Sequence, residues 1–219
     1  MRTCLLLPSY NAAATIGQII KDAQSFIGVI VVVDDGSSDG TTEAAKAHNA
    51  VVLRHNQNRG KGLALRTGFD YAIRNGYELI FTMDSDGQHQ PSDLPRFLNR
   101  FKRTNPDILI GGRIEGRAVM PLHRRVTNRL ISGVGSALCG QAVPDFQSGY
   151  RLIKSEVLTS LSLETERYET ESELLIKAAR LGFKIESVPI RAVYGNEISH
   201  VKPFREILLF TRLFCKLVK

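Results

Sequence analysis

Apolar residues gather along this chain in five short continuous runs: Thr3–Leu7, Val29–Val33, Ala50–Leu53, Leu79–Met83 and Ile108–Gly111. Runs of this length without polar alternation predict strands buried on both faces. Between them the apolar period changes. Ile16, Ile19, Ile20 and Ala23 recur at helical spacing, as do Leu65, Phe69, Ala72 and Ile73, and then Leu94, Phe97, Leu98 and Phe101. Strand and helix in alternation predict an α/β fold, a mostly parallel Rossmann-like sheet flanked by helices. Further along, the glycine-rich, basic stretch Gly111–Pro121 reads as a mobile loop and Thr127–Leu138 as a helix. A turn covers 144–151, a second helix covers Glu171–Leu181 with Gly182 as its left-handed stop, and a strand covers Lys184–Val193.

With 219 residues and 43% hydrophobic content, the chain supports one sizeable core better than two. The division expected is one domain over 1–201 and a basic amphipathic helix over 202–219. In that helix Phe204, Ile207, Leu208, Phe214 and Leu217 share one side, while Arg205, Arg212, Lys216 and Lys219 share another. Such a helix suits an anionic membrane surface, and it equally suits packing on the domain or on a second subunit, a homodimer. Cys4, Cys139 and Cys215 lie far apart and outside metal-binding spacings, as expected of buried thiols in a reducing, cytoplasmic setting. No run approaches the roughly 18 apolar residues of a membrane span, which leaves peripheral contact at the cytosolic membrane face as the expected membrane association. The net charge of +7 calls for an anionic partner. Nucleic acid is not expected, because no aromatic-plus-basic motif accompanies the charge.

Four polar, glycine-bearing turns fall at the carboxyl ends of the first four strands, where open sheets of this kind bind ligands. They are "PSYNAAATI" (8–16), "DDGSSDGTT" (34–42), "NRGKG" (58–62) and "DSDGQH" (84–89). Each has an ordinary reading of its own. "DDGSSDGTT" can be a turn followed by a helix cap, or it can present a carboxylate to a base or ribose; no GxGxxG follows the first strand. "NRGKG" lacks P-loop spacing, and Lys61 is either a solvated lysine or a neutraliser of a diphosphate at a helix N-terminus. Asp84 and Asp86 are either turn formers or a pair approaching one hard cation whose remaining positions take water and phosphate oxygens. The convergence of all four turns on one sheet edge favours the metal reading. His89 reads as structural or as support for the pair.

Taken together, "PSYNAAATI", "VVVDDGSSDGTT", "NRGKG", "FTMDSDGQHQP" and "DFQSGYR", in this order over residues 5–151, resemble the family-2 glycosyltransferases of GT-A fold. The likeness is to the branch of dolichol-phosphate mannosyltransferase and its bacterial polyprenyl-phosphate relatives. The resemblance implies inverting transfer of a sugar from a nucleotide-diphosphate sugar, GDP-mannose or a UDP-sugar, to a polyprenyl phosphate. By match of motif, Asp84, Asp86 and Gln88 face Mg²⁺ or Mn²⁺, with Asp86 also a catalytic candidate. Pro8, Tyr10, Asn11 and Asp35 hold base and ribose, and Lys61 holds the diphosphate. Asp145 lies near the acceptor. For a hydroxyl acceptor it would be the general base, whereas an ionised lipid phosphate leaves it to orient neighbours such as Arg151. Gln147 and the arginines Arg113, Arg117, Arg124, Arg125 and Arg151 are placed toward the acceptor, which suits a phosphate. A hydroxyl acceptor in cell-envelope polysaccharide synthesis is the alternative, and a non-catalytic nucleotide-sugar-binding scaffold is the weaker third.

Overall fold

The computed structural model describes residues 1–115 and 122–191, apart from the side chains of 114–115 and 122–125. Seven strands form one sheet: β1 (Thr3–Ser9), β2 (Ile30–Asp34), β3 (Val51–Arg54), β4 (Leu79–Thr82), β5 (Ile108–Glu115), β6 (Arg151–Lys154) and β7 (Ile185–Arg191). Their order across the sheet is β3-β2-β1-β4-β6-β5-β7. β6 is antiparallel to both of its neighbours, and the other neighbouring pairs run parallel. All five apolar runs are strands. In β1 and β2 the continuity follows from burial on both faces: Leu5, Leu7 and Val32 join one core cluster, while Cys4, Leu6, Val31 and Val33 join the other; β3, at the sheet edge, is only partly buried.

Among the described residues, seven α-helices flank the sheet: α1 (Ala13–Gln24), α2 (Thr41–Ala47), α3 (Lys61–Arg74), α4 (Leu94–Thr104), α5 (Leu122–Cys139), α6 (Ser155–Thr159) and α7 (Glu169–Arg180). Ile16, Ile19, Ile20 and Ala23 are the buried face of α1, as their spacing requires. On α3, Gly68 admits β1 closely, since a Cβ there would stand 2.1 Å from Leu6 Cδ1. Gly182 follows α7 with φ +84°, the left-handed stop expected of it.

Two readings need correction. The strand expected to end at Gly111 runs on to Glu115, so Gly112–Glu115 are strand rather than loop, with Gly111 and Gly112 paired with Val188 and Pro189 of β7. A Cβ on Gly111 would stand 2.8 Å from Ile190 and 3.1 Å from Phe97, so that glycine serves close packing. The helix expected from Thr127 already begins at Leu122. The four-residue strand β6 and the short helix α6 carry too few positions to declare a period, and both escape the pattern. The proposed segment 202–219, the end of the Lys184–Val193 strand, Cys215 and Arg117 lie outside the described residues, as do the Arg124 and Arg125 side chains. Cys4 and Cys139 are buried, which pushes their thiols up to about 12 and about 11. No helix among the described residues is long and apolar enough to cross a membrane.

Candidate active site

The sheet register brings the four turns to one edge. Pro8 pairs with Val33, Ser9 with Asp34, and Asp34 with Arg54, so β1, β2 and β3 end level with one another. Met83, directly after β4, donates its N–H to Leu6 of β1 at 3.1 Å. The turn after β2 then knits the edge together. Asp39 accepts from the Ala13 N–H at the start of α1 and from Thr41 at the start of α2. Burial raises the Asp39 carboxyl, and these hydrogen bonds bring it below the ordinary carboxylate range. Asn11, at φ 51°, accepts from the Ser38 N–H at 3.0 Å, while its own N–H donates to Ser37 Oγ at 2.9 Å. Tyr10 projects outward and is half exposed.

Asp35 is buried and is committed to the neighbouring turn. It accepts from the N–H groups of Arg59 (3.0 Å) and Gly60 (2.8 Å), and its Oδ1 lies 2.6 Å from His55 Nδ1. His55 Nε2 in turn lies 3.0 Å from Thr67 Oγ1. The carboxylate thereby fixes the backbone of "NRGKG", and Gly60 (φ +101°) adopts a conformation that L side chains resist. Lys61 opens α3 immediately after this anchor. Its ammonium lies 2.6 Å from Asp84 Oδ1 and 2.8 Å from Glu171 Oε2. Burial pulls the Lys61 pKa down, but the two carboxylates outweigh it and hold it well above its ordinary value.

Asp84 leaves β4 against Gly149, where a Cβ would come within 2.5 Å of Oδ1. Burial raises its carboxyl; Lys61, then His89 and Arg113, overcome that and bring it down to about 2. His89 is buried with its ring centroid 5.4 Å from that of Tyr150 and Nδ1 3.9 Å from Asp84 Oδ2. Neither ring nitrogen has a hydrogen-bond partner among the described residues. Burial lowers its pKa against the opposing pull of Asp84. Asp86 is exposed and accepts from the Gln88 N–H at 2.9 Å, so the turn curls its polar groups around the Asp84 end. The donor set of Asp84, Asp86 and the Gln88 amide oxygen is hard and suits Mg²⁺ or Mn²⁺. No cluster of three Asp, Glu, His or Cys positioned for a metal occurs among the described residues. A cation here would therefore complete its shell with water or phosphate oxygens.

The end around Asp145 is built differently. Asp145 is buried, and Arg113 grips it with Nε at 2.6 Å and Nη2 at 2.8 Å, while the Arg113 N–H adds a third bond at 3.1 Å. Asn128 of α5 donates to the same carboxylate at 3.2 Å. Burial raises Asp145, but Arg113 and Asn128 hold it below the usual carboxylate range. Arg151 lies beneath this end with 1% exposure and donates to the carbonyls of Ser148, Glu171 and Phe146. It fastens the "DFQSGYR" turn to α7. Gln147 sits in that turn next to the fully buried Phe146.

The Glycosyl transferase family 2 pattern matches residues 4–161. The chain belongs to that family. Among its relatives, the UDP-N-acetylglucosamine--dolichyl-phosphate N-acetylglucosaminyltransferase of Methanococcus voltae is 33% identical over 213 residues, covering 87% of this chain and 85% of the relative. The undecaprenyl-phosphate mannosyltransferase of Micrococcus luteus is 32% identical over 209 residues, covering 88% and 84%. In structure, the chain resembles glucosyl-3-phosphoglycerate synthase of Mycobacterium tuberculosis, solved with Mn²⁺, UDP and glucosyl-3-phosphoglycerate. The TM-score is 0.73 at 24% identity, with 96% of this chain and 76% of the other covered. That likeness establishes the GT-A fold.

This family-2 glycosyltransferase also uses residues that no motif announced. His55 locks Asp35, and Glu171 closes the pair around Lys61. Their signal in the sequence is faint. Glu169, Glu171 and Glu173 read as ordinary acidic residues of a helix's first turn, favourable to its dipole, yet Glu171 and Glu173 are buried.

Proposed function

We propose that the protein moves a sugar from a nucleotide-diphosphate sugar, GDP-mannose or a UDP-sugar, to a polyprenyl phosphate, with inversion and with dependence on Mg²⁺ or Mn²⁺. One observation carries the choice of acceptor: Asp145 is held by Arg113 and Asn128 and kept below the carboxylate range. A carboxylate so held is a weak base, whereas an alcohol needs deprotonation to attack. A phosphate is already ionised and asks for cationic or polar groups to orient it. The relatives from Methanococcus and Micrococcus, named for dolichyl and undecaprenyl phosphate acceptors, support the same reading.

In this reading Asp84, Asp86 and Gln88 hold the cation, which supplies Lewis-acid stabilisation of the departing nucleoside diphosphate. Lys61 neutralises the diphosphate from the start of α3. Pro8, Tyr10 and Asn11 line the base and ribose side, with Asp35 setting the backbone beneath them. Arg113 and Arg117 are assigned to binding the acceptor, and Asp145 and Gln147 orient that end. Arg151 acts as a positioning residue through the carbonyls it binds. Contact with the cytosolic face of a membrane follows from the nature of the acceptor. Incubation with GDP-mannose, UDP-glucose or UDP-N-acetylglucosamine, Mn²⁺ and a short polyprenyl phosphate is expected to give a lipid-linked sugar from one donor. Failure with every donor sinks the lipid assignment.

A further inference from the structure

The Lys61 ammonium stands at contact distance from Asp84, the carboxylate that the preceding section assigns to the cation. It is not a wandering surface lysine. Its backbone is fixed on one side by Asp35, which holds the Arg59 and Gly60 N–H groups. On the other side Gly62 presses α3 against the segment before α7, where a Cβ would stand 2.0 Å from Thr170 Oγ1 and 2.5 Å from the Arg167 carbonyl. Glu171, whose own carbonyl is held by Arg151 at 2.7 Å, brings its carboxylate to the same ammonium that contacts Asp84. The Tyr168 ring centre lies 6.0 Å from the ammonium. One monovalent cation thus bridges two anchored carboxylates, and a divalent cation binding Asp84 would meet it at repulsive range.

We propose that Lys61 is a tethered counter-cation shared by Asp84 and Glu171, that a divalent cation must displace it from Asp84, and that Glu171 is the positioning residue that retains it. This rests on the assignment of Asp84 to the metal. It adds that the chain's own ammonium competes for that carboxylate, and that Glu171 lowers the cost of releasing it toward the donor's diphosphate. A pair of carboxylates sharing one cation carries one net negative charge rather than two before the donor arrives, which lowers the repulsion between them.

The test is titration of Mn²⁺ alone into the full chain, followed by loss of the free-ion electron paramagnetic resonance signal. Lys61→Met is expected to bind Mn²⁺ about tenfold more tightly than the wild type, within the range of ordinary coupling free energies. Adding Asp84→Asn to that variant is expected to abolish the gain. Glu171→Gln is expected to weaken Mn²⁺ binding about threefold, because the displaced ammonium loses its second carboxylate. A purely structural Glu171 would instead lower the melting temperature and leave the Mn²⁺ affinity alone, and that result overturns its positioning role. Lys61→Gln replaces the Met variant if the latter does not fold. If the Lys61 variant binds Mn²⁺ no better than the wild type, or neither binds measurably, the exchange is overturned. A gain that survives Asp84→Asn overturns the metal assignment as well, so the two failures are told apart.

Discussion

The two ends of the proposed active site, a donor side around Asp35 and Asp84 and an acceptor side around Asp145, are assembled by different means. On the donor side, polar residues follow directly from the ends of β1, β2, β3 and β4; the register sets the ends of β1, β2 and β3 level, while β4 stops opposite Leu6. On the acceptor side, Arg113 of β5 reaches a residue 32 positions away, and Arg151 of β6 reaches 20 positions to Glu171. Both sides use paired charges, but on the donor side the charged residues sit directly on parallel strand ends and the helix that follows them, whereas the turn on the acceptor side takes its shape from Arg113 and Arg151 themselves. A substitution on the donor side should therefore cost chemistry first, and one on the acceptor side should cost stability first.

The largest effect expected tests the donor side. Asp84→Asn removes a charge from the cation site, and losing about 3 kcal/mol of transition-state stabilisation lowers turnover about 100-fold. The melting temperature should move little by comparison; a variant that keeps wild-type turnover breaks the donor-side assignment. Asp145→Asn tests the other end. It leaves the Arg113 guanidinium without its buried partner and is expected to cost about 3 kcal/mol in urea unfolding. With a phosphate acceptor the folded variant should keep most of its transfer activity, whereas loss of nearly all turnover would return Asp145 to the role of general base.

Gly62→Ala joins the two sides, because its Cβ would collide with Thr170 and Arg167. Overpacking of that kind costs about 2 kcal/mol, and the shift of α3 should raise the KM for the donor nucleotide more than it lowers kcat. The smallest effect is in pH. The folded Asp145 carboxyl lies below its unfolded value, so its contribution is present above about pH 4 and is lost as pH falls through the folded value. The acid limb of the stability curve should be shallower in Asp145→Asn than in the wild type; parallel limbs would show that Arg113 does not hold the carboxylate in solution.

The contrast between the two ends also explains what could be read in advance. The five parallel-strand runs and the turns behind four of them were legible because strand burial and turn chemistry are local: a few consecutive residues suffice. β6 was not, because "RLIK" is too short to display a period and its place between β4 and β5 depends on antiparallel pairing with both. The end of β5 was misjudged because glycine serves loop and close contact alike, and Ile190, which packs on Gly111, is remote in sequence. Arg151 stood among arginines suited to an anion, yet its guanidinium is spent on three backbone carbonyls. Exposure separates the two uses, and exposure is a property of the folded chain.

By itself, then, the sequence determined the α/β alternation, the family and the placing of four polar turns at one sheet edge, since each is written in neighbouring residues. The tertiary structure alone decided that Asp35 anchors a backbone, that Arg113 occupies Asp145, and that Glu171 shares Lys61 with Asp84. Those are pairings of charge across long stretches of chain. A buried charge needs a partner, but the energetics that demand one do not say where in the sequence it will come from.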